Sequence, residues 1–121
     1  MEARAPRPGM PVRGSESGRP VMAALDLLGR RWTLRVLWEP SRTPAGFREL
    51  QRRCERISSS VLTTRLNELT ATCLVTLRAD SYHPTPLGRD LVEALSPLNA
   101  WSRRWAEETG HSTTGGSEGS T

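Results

Sequence analysis

At 121 residues the chain has room for one small core, which excludes a large barrel or a multidomain enzyme. Seventeen Arg and no Lys stand against thirteen acids, a net charge of +4 that favours a polyanionic partner over an acidic small substrate. The longest apolar run, Val21 to Leu25, is five residues where a membrane-spanning helix needs about 20, and no apolar segment follows the first charges as a secretory signal requires. The sequence therefore reads as a cytoplasmic chain without a membrane partner.

Residues 1–19 are rich in Pro, Gly and Arg, and residues 110–121 carry no aliphatic side chain. Neither end has apolar surface to offset the entropy of ordering, so both read as disordered tails around a folded segment at 20–109. In that segment thirteen Arg against ten acids leave a local charge of +3. Val21, Leu25, Leu28 and Trp32, extended by Val36, keep helical spacing, with Gly29 placed to bend or divide the segment. Pro40 and Pro44 bound it, leaving a loop over Glu39 to Gly46. Phe47, Leu50 and Cys54 mark a two-turn helix. Ser58 is an N-cap for the next helix, whose apolar face is Leu62, Leu66 and Leu69. Leu74 to Ala79 changes to period two and reads as a strand; Asp80 and Ser81 turn it, and Tyr82 to Thr85 return as an edge strand because Pro84 has no amide hydrogen. Thr85 and Pro86 then form an N-cap and N1 pair opening a helix with Leu87, Leu91 and Leu95. Ser96 and Pro97 predict a kink or restart before Leu98, Trp101 and Trp105.

Two short helices followed by a two-stranded hairpin are the order of a winged helix-turn-helix, mainly α with a small β-wing. The second of those helices tests the idea. With its leucines inward, a 100° step groups Ser60, Thr63, Thr64 and Asn67 on the opposite side, with Ser58 and Ser59 at the helix start. Ser, Thr and Asn are mediocre helix formers, whereas a merely solvated face more often uses Glu, Arg or Gln. Short hydroxyls reach phosphates and base edges, and Asn can bond adenine N6 and N7 together. The same face also fits an ordinary exposed helix surface.

The ordered motifs also resemble a family. Asp26 to Glu39, DLLGRRWTLRVLWE, is similar to the LxLLGGKWTLLIL opening of HxlR-type winged helix-turn-helix transcriptional regulators. Phe47 to Leu50 is similar to its RFxEL, and Ile57 to Leu69 to its ISxxxLTxRLxEL. Leu74-Val75, Tyr82 to Arg89 and Leu98 to Trp101 follow its GLV, YxLTPLGR and LxxW. The resemblance spans about residues 20–106. It implies a sequence-specific DNA-binding homodimer, joined through its first and last helices, with the helix at 58–69 in the major groove. Arg30, Gly46, Cys73 and Pro84 depart from the family pattern at positions usually Gly, Arg, Gly and Leu. Only six residues separate Val75 from Tyr82, about half the usual wing, which leaves Arg78 as the wing candidate for a phosphate. A protein-interaction module that keeps the fold with weak or no DNA binding is the alternative.

Thiol-sensing members carry a Cys-Pro pair before the first helix; here the pair is Arg19-Pro20, so no oxidant sensing is expected at that position. Cys54 and Cys73 lie on apolar stretches and read as buried or partly buried small hydrophobes, and with no export signal no disulfide is expected. No Cys or His pair has metal-ligand spacing, and neither a Gly-rich phosphate loop nor a nucleophile elbow is present, so neither cofactor, metal nor enzymatic activity is expected. Trp32 falls on the first apolar stripe and reads as core. Trp101 and Trp105, one turn apart, join Val21, Leu25 and Leu98 as candidate dimer contacts.

Overall fold

The computed structural model describes residues 5–9 and 19–110; of the tails expected at 1–19 and 110–121, residues 1–4, 10–18 and 111–121 lie outside the described residues. Those residues form five helices and two strands: α1 (Pro20–Leu28), α2 (Thr33–Arg42), α3 (Phe47–Arg53), α4 (Ser59–Ala71), β1 (Val75–Arg78), β2 (Ser81–Pro84) and α5 (Pro86–Glu108). This is the expected winged helix-turn-helix. They fall into two compact units divided within α5, one ending at Arg89 and the other beginning at Asp90.

The core of the first unit is built from α2, α3, α4 and β1. Val36, Leu37, Leu50, Leu62, Leu66, Leu69 and Val75 are almost wholly excluded from solvent, each side chain contributing about 1.5 to 3 kcal/mol. Cys54 and Ile57 close the gap between α3 and α4. The leucine stripe of α4 thus faces inward as its spacing requires.

Four expectations are corrected. The stripe from Val21 to Val36 is not continuous: α1 stops at Leu28, and Trp32 sits at φ 76° ahead of α2. The corner resets the helical phase, so Ala23 and Leu27 are the buried residues of α1 while Val21 and Leu25 are exposed and Trp32 is only half-buried. Pro40 lies inside α2 rather than at its end; near the C-terminus it removes one helical hydrogen bond and gains full burial of its ring. Pro97 likewise lies inside α5, which runs on to Glu108 with no restart. Finally, α5 turns Gly88 inward and Leu87 outward. A Cβ on Gly88 would lie 2.1 Å from the carbonyl oxygen of Leu74, so only glycine lets α5 start this close to the base of the wing.

The wing is a tight hairpin. Val75 pairs with Pro84, Thr76 with His83, Leu77 with Tyr82 and Arg78 with Ser81. Ala79 and Asp80, at φ 51° and 64°, form the two-residue turn between them, one residue earlier than expected. Positive φ at both positions matches the twist of a two-residue hairpin. Val75 is buried at the base, but Leu77 on the same face is exposed, because the strands run out beyond the core. On the other side of β2 the Tyr82 amide donates to the Ala45 carbonyl at 2.8 Å, a bridge that no sequence periodicity could announce.

Candidate nucleic-acid interface

Ser58 opens α4 as predicted. Its backbone is extended and its Oγ accepts from the Val61 amide at 3.1 Å, while its carbonyl accepts from Leu62 at 3.0 Å. The amides of Ser59 and Ser60 thus remain outside the helical ladder, pointing from the positive end of the helix dipole where an anion is favoured.

The outward face carries all the residues expected there. Ser58, Ser59, Ser60, Thr63 and Asn67 are exposed and Thr64 is half-buried. Their hydrogen bonds sort them further. Thr64 donates its hydroxyl to the Ser60 carbonyl at 3.0 Å, which leaves its lone pairs and methyl for a ligand. The hydroxyls of Ser58 and Ser60 lie 3.3 Å apart. Ser59, Thr63 and Asn67 have no hydrogen-bond partner among the described residues and keep their full capacity.

Several arginines that raise the net charge are occupied inside the protein. Arg35 donates to Glu39 at 2.8 Å and to the Arg53 carbonyl at 2.7 Å, at the C-terminal end of α3. Arg53 returns the contact, donating to the Thr43 carbonyl at 2.8 Å and the Glu39 carbonyl at 3.3 Å, at the end of α2. Each helix end thereby receives donors for its open carbonyls from the other, and α2 and α3 are locked together. Arg30 and Arg65 share the buried Glu68 at 2.6 and 2.8 Å. Hydrogen bonds from Arg52 and then Arg53 hold the half-buried Glu49 carboxyl below its ordinary value.

Arg48, Arg56 and Arg78, near α4 in sequence, are among the exposed arginines without an ion pair among the described residues, as are Arg31, Arg89, Arg103 and Arg104. Arg78 stands beside the wing turn, as expected. The sequence reading passed over Arg48 and Arg56; their position off the Phe47, Leu50, Cys54 stripe, one within α3 and one in the turn before α4, is the available signal.

The thiols differ. Cys54 is buried as expected, and burial pushes its thiol up despite nearby Arg35. Cys73, expected to be buried or partly buried, is exposed with φ 67°. The reason is its place just past α4: its amide bonds to the Thr70 carbonyl at 3.1 Å and that of Leu74 to Leu69 at 2.9 Å, the hydrogen-bond pattern of a helix stop whose left-handed residue is usually glycine. Among the described residues no three His, Cys, Asp or Glu are grouped to hold a metal ion. No helix there is long and apolar enough to cross a membrane.

In the second unit Leu98, Trp101 and Trp105 follow i, i+3, i+7 along α5 and are each about half exposed. The two indoles stack, with centroids 5.4 Å apart and planes 16° from parallel.

Known proteins share this arrangement. The quinone-bound form of YodB from B. subtilis is 27% identical, with a TM-score of 0.67, over 69% of this chain and 96% of that one. A MarR-family transcriptional regulator from Enterococcus faecalis V583 is 26% identical with a TM-score of 0.68, over 82% of this chain and 96% of its own. A chain from Thermoplasma volcanium GSS1, described as an HxlR family transcriptional factor, is 25% identical with a TM-score of 0.61, covering 69% and 82%. No curated protein matches significantly. The family model for an HxlR-like helix-turn-helix matches residues 27–110, from the end of α1 through α5, and the chain belongs to that family.

Proposed function

We propose that this protein is a transcriptional regulator that binds duplex DNA sequence-specifically as a homodimer, with α4 in the major groove. The observation that carries the reading is the outer face of α4: Ser59, Thr63 and Asn67 are exposed and uncommitted, backed by a leucine face that fixes their direction. Asn67 offers the amide pair that bonds adenine, Thr63 a hydroxyl, and Thr64 a methyl suited to thymine. Ser58, Ser59 and Ser60, at the helix start, hold a phosphate through their hydroxyls and the two open amides. Arg48, Arg56 and Arg78 supply further phosphate contacts around it.

The dimer is joined through Val21 and Leu25 of α1 and Leu98, Trp101 and Trp105 of α5. These are exposed apolar side chains in the single chain, and such surface is commonly covered by a partner. Two copies related by a two-fold axis present their α4 helices to half-sites about 34 Å apart. The two-residue wing turn favours a second reading, a protein-interaction module, because so short a hairpin has little reach along a groove.

A salt titration decides between them. A regulator making about six phosphate contacts loses about a thousandfold in affinity for duplex DNA between roughly 50 and 200 mM salt. Asn67→Ala is expected to lower affinity for selected over random duplex by about 1 to 3 kcal/mol. Absence of binding at low salt would leave the interaction module.

A further inference from the structure

Helix α4 has a polar inner patch as well as a polar outer face. On its inner side Arg65 donates from Nε to the Arg31 carbonyl at 2.7 Å and from Nη1 to Glu68 at 2.8 Å. From the opposite direction Arg30 donates to the other oxygen of Glu68 at 2.6 Å, and its second nitrogen lies 3.5 Å from Asp26. The links close a ring: Arg65 to the corner, the corner through Arg30 to Glu68, and Glu68 back to Arg65. The three charged side chains are only 6 to 13% exposed.

Such a cluster is a weak source of stability, because desolvating the ions offsets most of their attraction. What it does supply is geometry. The corner it grips, Gly29 to Trp32, holds Trp32 at φ 76°, a left-handed conformation that is strained in a residue with a Cβ. Strain of this kind persists only where the surroundings over-determine the backbone. Here they do: α4 holds the Arg31 carbonyl, and the Arg31 guanidinium lies 6.0 Å from the centre of the Trp32 ring. The same corner ends α1, which carries the exposed Val21 and Leu25.

We propose that the Arg30, Glu68, Arg65 cluster is a positioning clamp that fixes α4 against the α1–α2 corner, making Arg30 a specificity-determining residue although it touches no DNA. The inference rests on the DNA-binding reading above. Base-edge hydrogen bonds demand placement within about 0.5 Å and 10 to 20°, whereas long arginines follow a phosphate through larger shifts. Loosening the clamp therefore costs discrimination before it costs general affinity.

The test starts from the duplex that the wild-type protein enriches from a random-sequence library. Fluorescence anisotropy then compares wild type, Arg30→Met and Arg30→Lys on that duplex and on a scrambled one, with circular dichroism to establish folding. Arg30→Met keeps the aliphatic stem and removes the charge; affinity for the enriched duplex is expected to fall about tenfold, and for the scrambled one less than about twofold. Arg30→Lys reaches Glu68 without the planar fork and is expected to lose about threefold of the ratio. Should Arg30→Met fail to fold, Arg30→Lys carries the test. An unchanged ratio in the folded variants, or equal loss on both duplexes, overturns the clamp and leaves the DNA-binding reading intact. A wild-type protein that enriches no sequence overturns that reading, and the specificity role of Arg30 with it.

Discussion

The helix-turn-helix body and the far half of α5 treat their apolar side chains in opposite ways. In the body, Leu37, Leu50, Leu62, Leu66 and Leu69 are shut away from water, and even Glu39 and Glu68 are buried with arginine partners. Along α5 beyond Asp90, no residue is fully buried, and the largest apolar groups, Trp101 and Trp105, face outward and stack on each other. The body encloses a core of its own, although Val21, Leu25, Leu77 and Leu87 stay exposed around it. In the dimer proposed above the far half of α5 is covered by the second chain, so mutations in the two regions should differ in what they break: folding in one, association in the other.

The largest effect is expected where α5 leaves the body. Gly88→Ala places a methyl 2.1 Å from a backbone oxygen, and neither the Leu74 carbonyl nor the first turn of α5 can yield without disturbing the hydrogen bond from Thr85 to that same oxygen, 3.1 Å long. A loss of at least about 3 kcal/mol is expected, a large share of the stability of so small a domain. Chemical denaturation of the purified variant measures it; a midpoint near that of wild type would mean the helix start moves freely.

Trp101→Ala or Trp105→Ala is expected to weaken the proposed dimer by about 2 to 4 kcal/mol, the range of an interfacial anchor, while the body keeps its fold. Sedimentation velocity reads the association and circular dichroism the fold. A variant that stays dimeric, or one that unfolds the body, would erase the contrast between the regions.

How much of this was legible in the sequence follows the same division. The leucine face of α4, the Ser58 cap and the Thr85 cap, whose Oγ1 accepts from Gly88 at 3.0 Å, all rest on local chemistry repeated at helical spacing, and each was readable. The phase of α1 was not, because the corner at Trp32 breaks the helical count, and the Arg31 carbonyl beside it is held by Arg65, 34 residues further along the chain. Glu68 sits between Asn67 and Leu69, and nothing local distinguishes a buried carboxylate from a solvated one. Cys73 was misjudged because its apolar neighbours suggested burial, whereas the end of α4 dictated its backbone. The outer face of α4 could be named residue by residue, but the internal commitments of Arg35, Arg53 and Thr64 required the fold.

Cys73→Gly sharpens that last point. Cys73 occupies a left-handed position that completes the stop of α4, and its exposed side chain contributes little packing. Removing the Cβ relieves about 1 kcal/mol of strain, partly offset by the greater freedom of glycine in the unfolded chain. A modest rise in melting temperature is expected. The same variant removes the only exposed thiol among the described residues, leaving the buried Cys54, whose thiol is pushed up by desolvation. Binding to DNA is therefore expected to withstand diamide in Cys73→Gly, and an oxidant-dependent loss there would show that Cys54 becomes accessible.

The smallest effect is expected at the tip of the wing, where two departures from the family pattern meet. Ala79 and Asp80 both adopt positive φ, a turn that favours Asn-Gly because Asn tolerates the left-handed region and Gly has no Cβ. Alanine has neither advantage, so Ala79→Asn is expected to stabilise the hairpin by about 0.5 kcal/mol. The turn cannot simply relax, because a Cβ at Gly46 would lie 2.9 Å from the Asp80 carbonyl oxygen and the Tyr82 amide holds the hairpin to Ala45 at 2.8 Å. The short wing and the glycine at position 46 thus fit one another: a side chain at 46 would displace the turn. Thermal melts of Ala79→Asn, Gly46→Ala and the double variant test the coupling. Ala79→Asn alone should raise the midpoint, Gly46→Ala should lower it by more, and the pair should depart from additivity, because the turn that asparagine favours is the one the methyl pushes away. Strict additivity would mean that the wing folds independently of the loop before α3.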